Sequence, residues 1–68
     1  MKVKDWGARF ALDSLVSFEV ERVDNNGYRG RIVILSPGGT QASTVFDTQA
    51  EAEGWVVAVA KNFWGVTL

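Results

Sequence analysis

The sequence predicts an α+β domain: a three-stranded antiparallel meander, strand order 1-2-3, with a C-terminal helix packed on one face. Three observations lead there. Residues 15–23, LVSFEVERV, alternate apolar and polar with period two, as a half-buried strand does. Two turn signals, DNNG at 24–27 and SPGGT at 36–40, cut the following chain into strand-length pieces. Ala52, Trp55, Val56, Val59 and Phe63 then recur at three- and four-residue intervals, the spacing of one helix face.

Size and composition fit a single domain spanning residues 1–68. A chain this short buries only about 60% of the surface it exposes when unfolded. It has no cysteine and no histidine, so disulfides and thiolate or imidazole metal sites are excluded. Stability must come from packing, with self-association as a homodimer the other means open to it. Three Trp and four Phe supply the bulk for a core. The absence of cysteine suits a reducing cytosol. The first ten residues, MKVKDWGARF, lack the apolar run of a secretory signal. No segment reaches the roughly 20 apolar residues of a membrane span. A formal net charge of −1 is unlike the positive excess of a dedicated nucleic-acid binder.

The elements follow in order. Residues 1–14 carry Val3, Trp6, Phe10 and Leu12, too apolar for a free tail. A short extra strand, a turn of helix after Asp5, or a flap over the core all fit. In the first strand Val16, Phe18 and Val20 form the core face, and Ser17, Glu19 and Glu21 the other. At DNNG a two-residue loop would put Arg22 opposite Arg31 on the core face. A three-residue loop, Asn25-Asn26-Gly27 with Gly27 left-handed in a bulge, pairs Val20 with Ile32 and Phe18 with Ile34, and sets Glu21 against Arg31. The sequence favours the second. YRGRIVILS is the second strand, rich in β-branched residues. At SPGGT, Pro37 fixes φ and Gly38 and Gly39 allow a tight reversal. A three-residue loop there sets Ile34 against Ala42, Ile32 against Thr44, and Phe46 over Gly30. TQASTVF is the third strand. The predicted core face is Val16, Phe18, Val20, Ile32, Ile34, Ala42, Thr44 and Phe46. The helix runs over 48–64, with Thr48 and Glu51 at capping-box spacing and Gly65 as its stop. Gly54 costs about 1 kcal/mol against Ala in a helix interior. A close approach of helix to sheet would explain it.

Several chemistries drop out. Nucleophilic catalysis of the Ser-His-Asp or Cys-His kind needs an imidazole or thiol. Glu19, Glu21, Glu51 and Glu53 could in form do acid–base work, but Glu19 and Glu21 fall on the open face of a strand, where a solvated role is the commoner one. DNNG lacks the alternating oxygen ligands and distal Glu of a calcium loop. SPGGT lacks the Lys and the spacing of a phosphate-binding loop. The chain therefore reads as non-enzymatic, without metal or cofactor.

What remains is surface. The uncovered sheet face would carry Leu15, Ser17, Glu19, Glu21 and Val23, then Arg29, Arg31, Val33 and Leu35, then Gln41, Ser43 and Val45. One end is apolar and the other charged. Solvent, the N-terminal segment or a twin subunit would cover it in one reading, and a protein partner in the other. Tyr28 and Trp64 are the aromatics least explained by the core pattern. They suit either a binding hot spot or the edge of the core. The candidate partner-binding set is Glu19, Glu21, Arg29, Arg31, Tyr28 and Trp64.

The arrangement FEVERVDNNGYRGRIVIL…ASTVFDTQAEAEGW resembles small phage-encoded anti-CRISPR proteins built from an antiparallel sheet with a helix. In that class an Asn-Gly hairpin leads into a central basic strand. A later strand ends in a Phe-Asp-Ser/Thr step, here Phe46, Asp47 and Thr48, followed by Glu (Glu51 or Glu53) and Trp55. The likeness covers most of residues 16–55. It implies a stoichiometric inhibitor, acting in the cytoplasm of a bacterial host cell, that docks on a CRISPR surveillance complex and blocks target-DNA binding. The class's contact residues match no identifiable positions here, and none is carried over.

The step Phe46, Asp47, Thr48, Glu51, Ala52 is also similar to the helix start of AP2-type DNA-binding domains, whose three-stranded sheet lies in the major groove. That resemblance implies that Arg29, Arg31, Gln41 and Ser43 face DNA. The Trp- and Arg-rich strands of that family are not reproduced, and Glu19 and Glu21 would face phosphates. The sequence favours a small non-enzymatic inhibitor of a bacterial protein complex, with sheet-mediated DNA binding as the alternative.

Overall fold

The computed structural model describes every residue except Leu12, Asn26 and Pro37. The expected roles of Pro37 in the second turn, of Asn26 in the first and of Leu12 near the core therefore lie outside the described residues. The chain is α+β, with an antiparallel sheet of four strands and one C-terminal helix. The strands are β1 (Lys2–Ala11), β2 (Ser14–Val23), β3 (Gly27–Ser36) and β4 (Gly39–Ala42), in spatial order β1-β2-β3-β4, and the helix is α1 (Gln49–Trp64).

The sequence reading gives three strands, and the fourth is the N-terminal one. Val3 and Trp6 are three residues apart, so regular alternation would send them to opposite faces. The pairing of β1 with β2 shifts register between Lys2 and Lys4 and again between Asp5 and Gly7. Both side chains consequently pack against the core. The second irregularity is built on Gly7, at φ 78°, whose N–H donates to Asp5 Oδ1 at 2.7 Å. These interruptions erase the period-two pattern that would mark a strand.

The first hairpin closes on the pair Val23 and Gly27, two residues out from the expected register. Phe18 faces Ile32, Val20 faces Gly30, Glu19 faces Arg31 and Glu21 faces Arg29. An even shift preserves the faces, so Val16, Phe18, Val20 and Ile32 are buried as anticipated. Among the described residues of the turn, Asn25 is left-handed at φ 67° and Gly27 is not. Gly27 is instead buried beneath Val45, whose Cγ1 occupies the space a Cβ would need.

The second hairpin also departs from expectation. Gly38 and Gly39 take positive φ, but Ile34 pairs with Gly39, Ile32 with Gln41, and Arg31 with Ala42. Strand β4 is four residues long and exposed throughout, and neither Ala42 nor Thr44 joins the core. The chain then rejoins β3. Ser43 N–H donates to the Gly30 carbonyl at 2.9 Å, and Gly30 N–H donates to Ser43 Oγ at 2.8 Å. The hydroxyl stands in for a strand carbonyl where regular pairing has lapsed. Tyr28 and Phe46 then exchange two backbone hydrogen bonds, at 2.8 and 2.7 Å. Phe46 thus lies opposite Tyr28 rather than over Gly30.

Gly30 is covered by α1. A Cβ there would stand 2.5 Å from Trp55 Cε3 and 2.7 Å from Val56 Cγ2. The close approach assigned from sequence to Gly54 belongs to Gly30; Gly54 is exposed and has open space around it. The buried stripe of α1 is Ala52, Val56 and Ala60, flanked by Trp55, Val59 and Trp64. Phe63, expected within the stripe, is 68% exposed. Trp64 takes that place, meeting the Phe18 ring edge-on at 6.2 Å.

The helix starts as expected. Thr48 is its N-cap, with Oγ1 accepting from Glu51 N–H at 3.3 Å. The Glu51 carboxylate accepts the Thr48 hydroxyl proton at 3.0 Å, in place of a backbone N–H. Gly65 ends the helix at φ 66°, donating to the Lys61 carbonyl at 3.1 Å.

Candidate docking face of the sheet

With α1 on one side, no element among the described residues covers the opposite side of β1–β3. Strand alternation and register decide what stands on it. Glu19 and Glu21 project from β2, Arg31 and Arg29 from the facing positions of β3, and Lys2 and Asp5 from the facing positions of β1. The result is a ladder of opposite charges across three strands. Lys2 Nζ lies 2.9 Å from Glu19 Oε2 and 3.6 Å from Asp5 Oδ2. Arg31 reaches Glu19 at 3.8 Å through Nε and Glu21 at 3.6 Å through Nη1. Arg29 donates to Glu21 Oε1 from Nε at 2.6 Å and also from Nη2.

The acids are not solvated, contrary to the sequence reading. The Glu19 and Glu21 side chains are 6% and 14% exposed, against 56% for Lys2, 38% for Arg29 and 41% for Arg31. Short carboxylates between long cationic side chains end up underneath them. The hydrogen bonds from Arg29, with the nearby Arg29 and Arg31 charges, hold the Glu21 carboxyl below its ordinary range against the opposing effect of desolvation. The Glu19 carboxylate, and Asp5 beside it, raise the Lys2 ammonium. Among the described residues, no buried side-chain polar atom lacks a partner.

The ends of β1 and β3 and the start of β2 form the other end of the face. Phe10 faces Leu15, and Leu15 faces Ser36. Phe10 is 82% exposed, and Leu35, at the register shift beside Ser36, is 53% exposed. Partly buried Val33, opposite Ser17, connects this apolar end to the charged ladder.

Of the six candidate residues, four come together here: Glu19, Glu21, Arg29 and Arg31. Tyr28 and Trp64 lie on the helix side. Tyr28 packs against the core with the Arg22 guanidinium 5.8 Å from its ring centroid, and Trp64 packs on Phe18. Sequence reasoning missed Lys2 and the orientation of Phe10, because both depend on recognising β1. Among the described residues there is no cavity, no acidic cluster suited to a metal ion, and no helix long and apolar enough to cross a membrane. Comparison with protein-family models, with curated proteins and with solved structures gives no match.

Proposed function

We propose that this chain is a non-enzymatic binding protein that inhibits a bacterial protein complex by docking its uncovered sheet face, as the resemblance to anti-CRISPR proteins implies. One observation carries the reading: a sheet face free of α1 places an exposed apolar end, Phe10 and Leu35, beside an ordered charged ladder. Apolar side chains flanked by fixed charges are what a specific protein interface uses, the former for affinity and the latter for orientation. Pairing within the chain already restrains Lys2 and Arg29, which lowers the side-chain entropy they lose on docking. The inhibitor acts by occupying a surface.

The experiment combines purified chain, a purified type I CRISPR surveillance complex with its guide, and matching duplex DNA. Loss of DNA binding at stoichiometric addition supports the reading. Undiminished DNA binding at large excess, with no co-migration of the chain on size exclusion, overturns it.

One observation favours the AP2-like alternative. Glu19 and Glu21, which would repel phosphates, lie beneath Lys2, Arg29 and Arg31. Duplex binding by this face would weaken steeply with salt. A gel-shift series at two salt concentrations tests it, and no shift at the lower one rules it out.

A further inference from the structure

The sign of the charge that a partner would meet narrows its chemistry. The ladder is formally balanced, with three cations, Lys2, Arg29 and Arg31, and three acids, Asp5, Glu19 and Glu21. Exposure breaks that balance. Over β2 and β3 the carboxylates are buried beneath the guanidiniums, and the one well-exposed acid, Asp5, stands on the edge strand. The centre of the face is therefore cationic to an approaching surface although its residues sum to zero. The two arginines also differ. Arg29 is hydrogen-bonded to Glu21, whereas Arg31 holds Glu19 and Glu21 only at 3.8 and 3.6 Å, beyond hydrogen-bonding range. Arg31 has donors to offer in a planar fork suited to a carboxylate.

We infer that the occupant of this face is an acidic segment of a partner protein, presenting an apolar anchor to Phe10, Leu15 and Leu35 and carboxylates to Arg31 and Lys2. This rests on the reading of the sheet face as the docking surface, and it specifies the partner's chemistry. A second copy of the chain is disfavoured because the face it presents carries the same outward cations, with Asp5 as its one well-exposed acid. A nucleic acid matches the charge and could stack a base on Phe10, but it offers no apolar counterpart to Leu15 and Leu35, and the duplex arm of the test separates the two.

The test is selection of a random dodecapeptide library displayed on phage against the immobilised full chain, with random-sequence duplex DNA in a parallel binding arm. Selected peptides should combine Asp or Glu with Leu, Ile, Phe or Trp. As free peptides they should shift backbone amide resonances along β1–β3, and their affinity should fall at least about tenfold, a change of ~1.4 kcal/mol, on Arg31→Glu. Phe10→Ser and Leu35→Ser should weaken binding as well. Both alter exposed side chains, so they keep the test decisive if Arg31→Glu disturbs the fold. A basic consensus, no enrichment, binding indifferent to all three substitutions, or duplex binding that outcompetes the peptides would each overturn the inference. Failure against a CRISPR complex would leave an acidic, face-specific consensus standing, so the two readings fail separately.

Discussion

The indole of Trp55 rests on the backbone of Gly30, filling the volume that any larger residue would claim. A Cβ at position 30 would lie 2.5 Å from the ring and 2.7 Å from Val56 Cγ2, and neither group can withdraw without opening the core. Gly30→Ala should therefore destabilise by about 1–3 kcal/mol, the usual cost of overpacking. At ~4–8 °C per kcal/mol for a domain this small, the loss is readable as a lowered Tm. Gly54→Ala provides the contrast. Its Cβ meets nothing within 4 Å, so Ala should stabilise by up to about 1 kcal/mol. Destabilisation by Gly54→Ala in a urea titration would show that the helix uses that glycine after all.

Trp64 and Phe63 are neighbours with opposite fates. Trp64 packs edge-on against fully buried Phe18, while Phe63 is largely exposed. Trp64→Ala should cost about 2 kcal/mol, somewhat less than truncation of a fully buried aromatic. Phe63→Ala should change stability by no more than ~0.5 kcal/mol. Equal losses measured by chemical denaturation would mean that both rings belong to the core.

These two residues also show where the sequence was legible. Regular alternation in β2 and β3 revealed those strands, their buried faces and the faces of the charged residues, because an error of two in register does not move a side chain across the sheet. The helix was legible from its cap and its spacing. Strand β1 was not, since its bulges let Val3 and Trp6 reach one face from positions of opposite parity. The choice of Phe63 over Trp64 failed because periodicity gives a direction around the helix, not where the sheet beneath it ends. At the candidate site, Glu19, Glu21, Arg29 and Arg31 could be grouped from parity. Their burial could not, because Lys2 reaches Glu19 from the strand that periodicity left undefined.

The β2–β3 turn separates two kinds of constraint. Asn25 is left-handed at φ 67°, a conformation that Asn tolerates and glycine prefers. Asn25→Gly should be neutral to slightly stabilising, whereas Asn25→Ala should cost about 1 kcal/mol. Gly27 is constrained by Val45, not by φ. Gly27→Ala should accordingly be rescued in part by Val45→Ala. A double-mutant cycle reads this directly, and a coupling near zero would show that the valine moves aside freely.

Glu21 makes the ladder sensitive to acid. Hydrogen bonds from Arg29 hold its carboxyl below the ordinary value of 4.5, so its folded-state pKa lies under that of the unfolded chain. Such a group stabilises the fold above the unfolded value and loses that contribution as pH falls through the folded one. Lys2 acts in the opposite sense. Its ammonium is raised above 10.5 by Glu19, so its contribution is complete at neutral pH and disappears only in strong base. Urea midpoints measured downward from pH 7 should hold nearly level until about pH 4.5 and then fall. Glu21→Gln should be less stable at pH 7, because Arg29 and Arg31 lose a charged partner, and its midpoint should fall less steeply below pH 4.5 than that of the parent chain. Since the charges sit at a surface, added salt should narrow the difference between parent and variant at pH 7. If the two acid limbs coincide, the acid sensitivity belongs to carboxyls elsewhere in the chain and the Arg29–Glu21 pair contributes little to the fold.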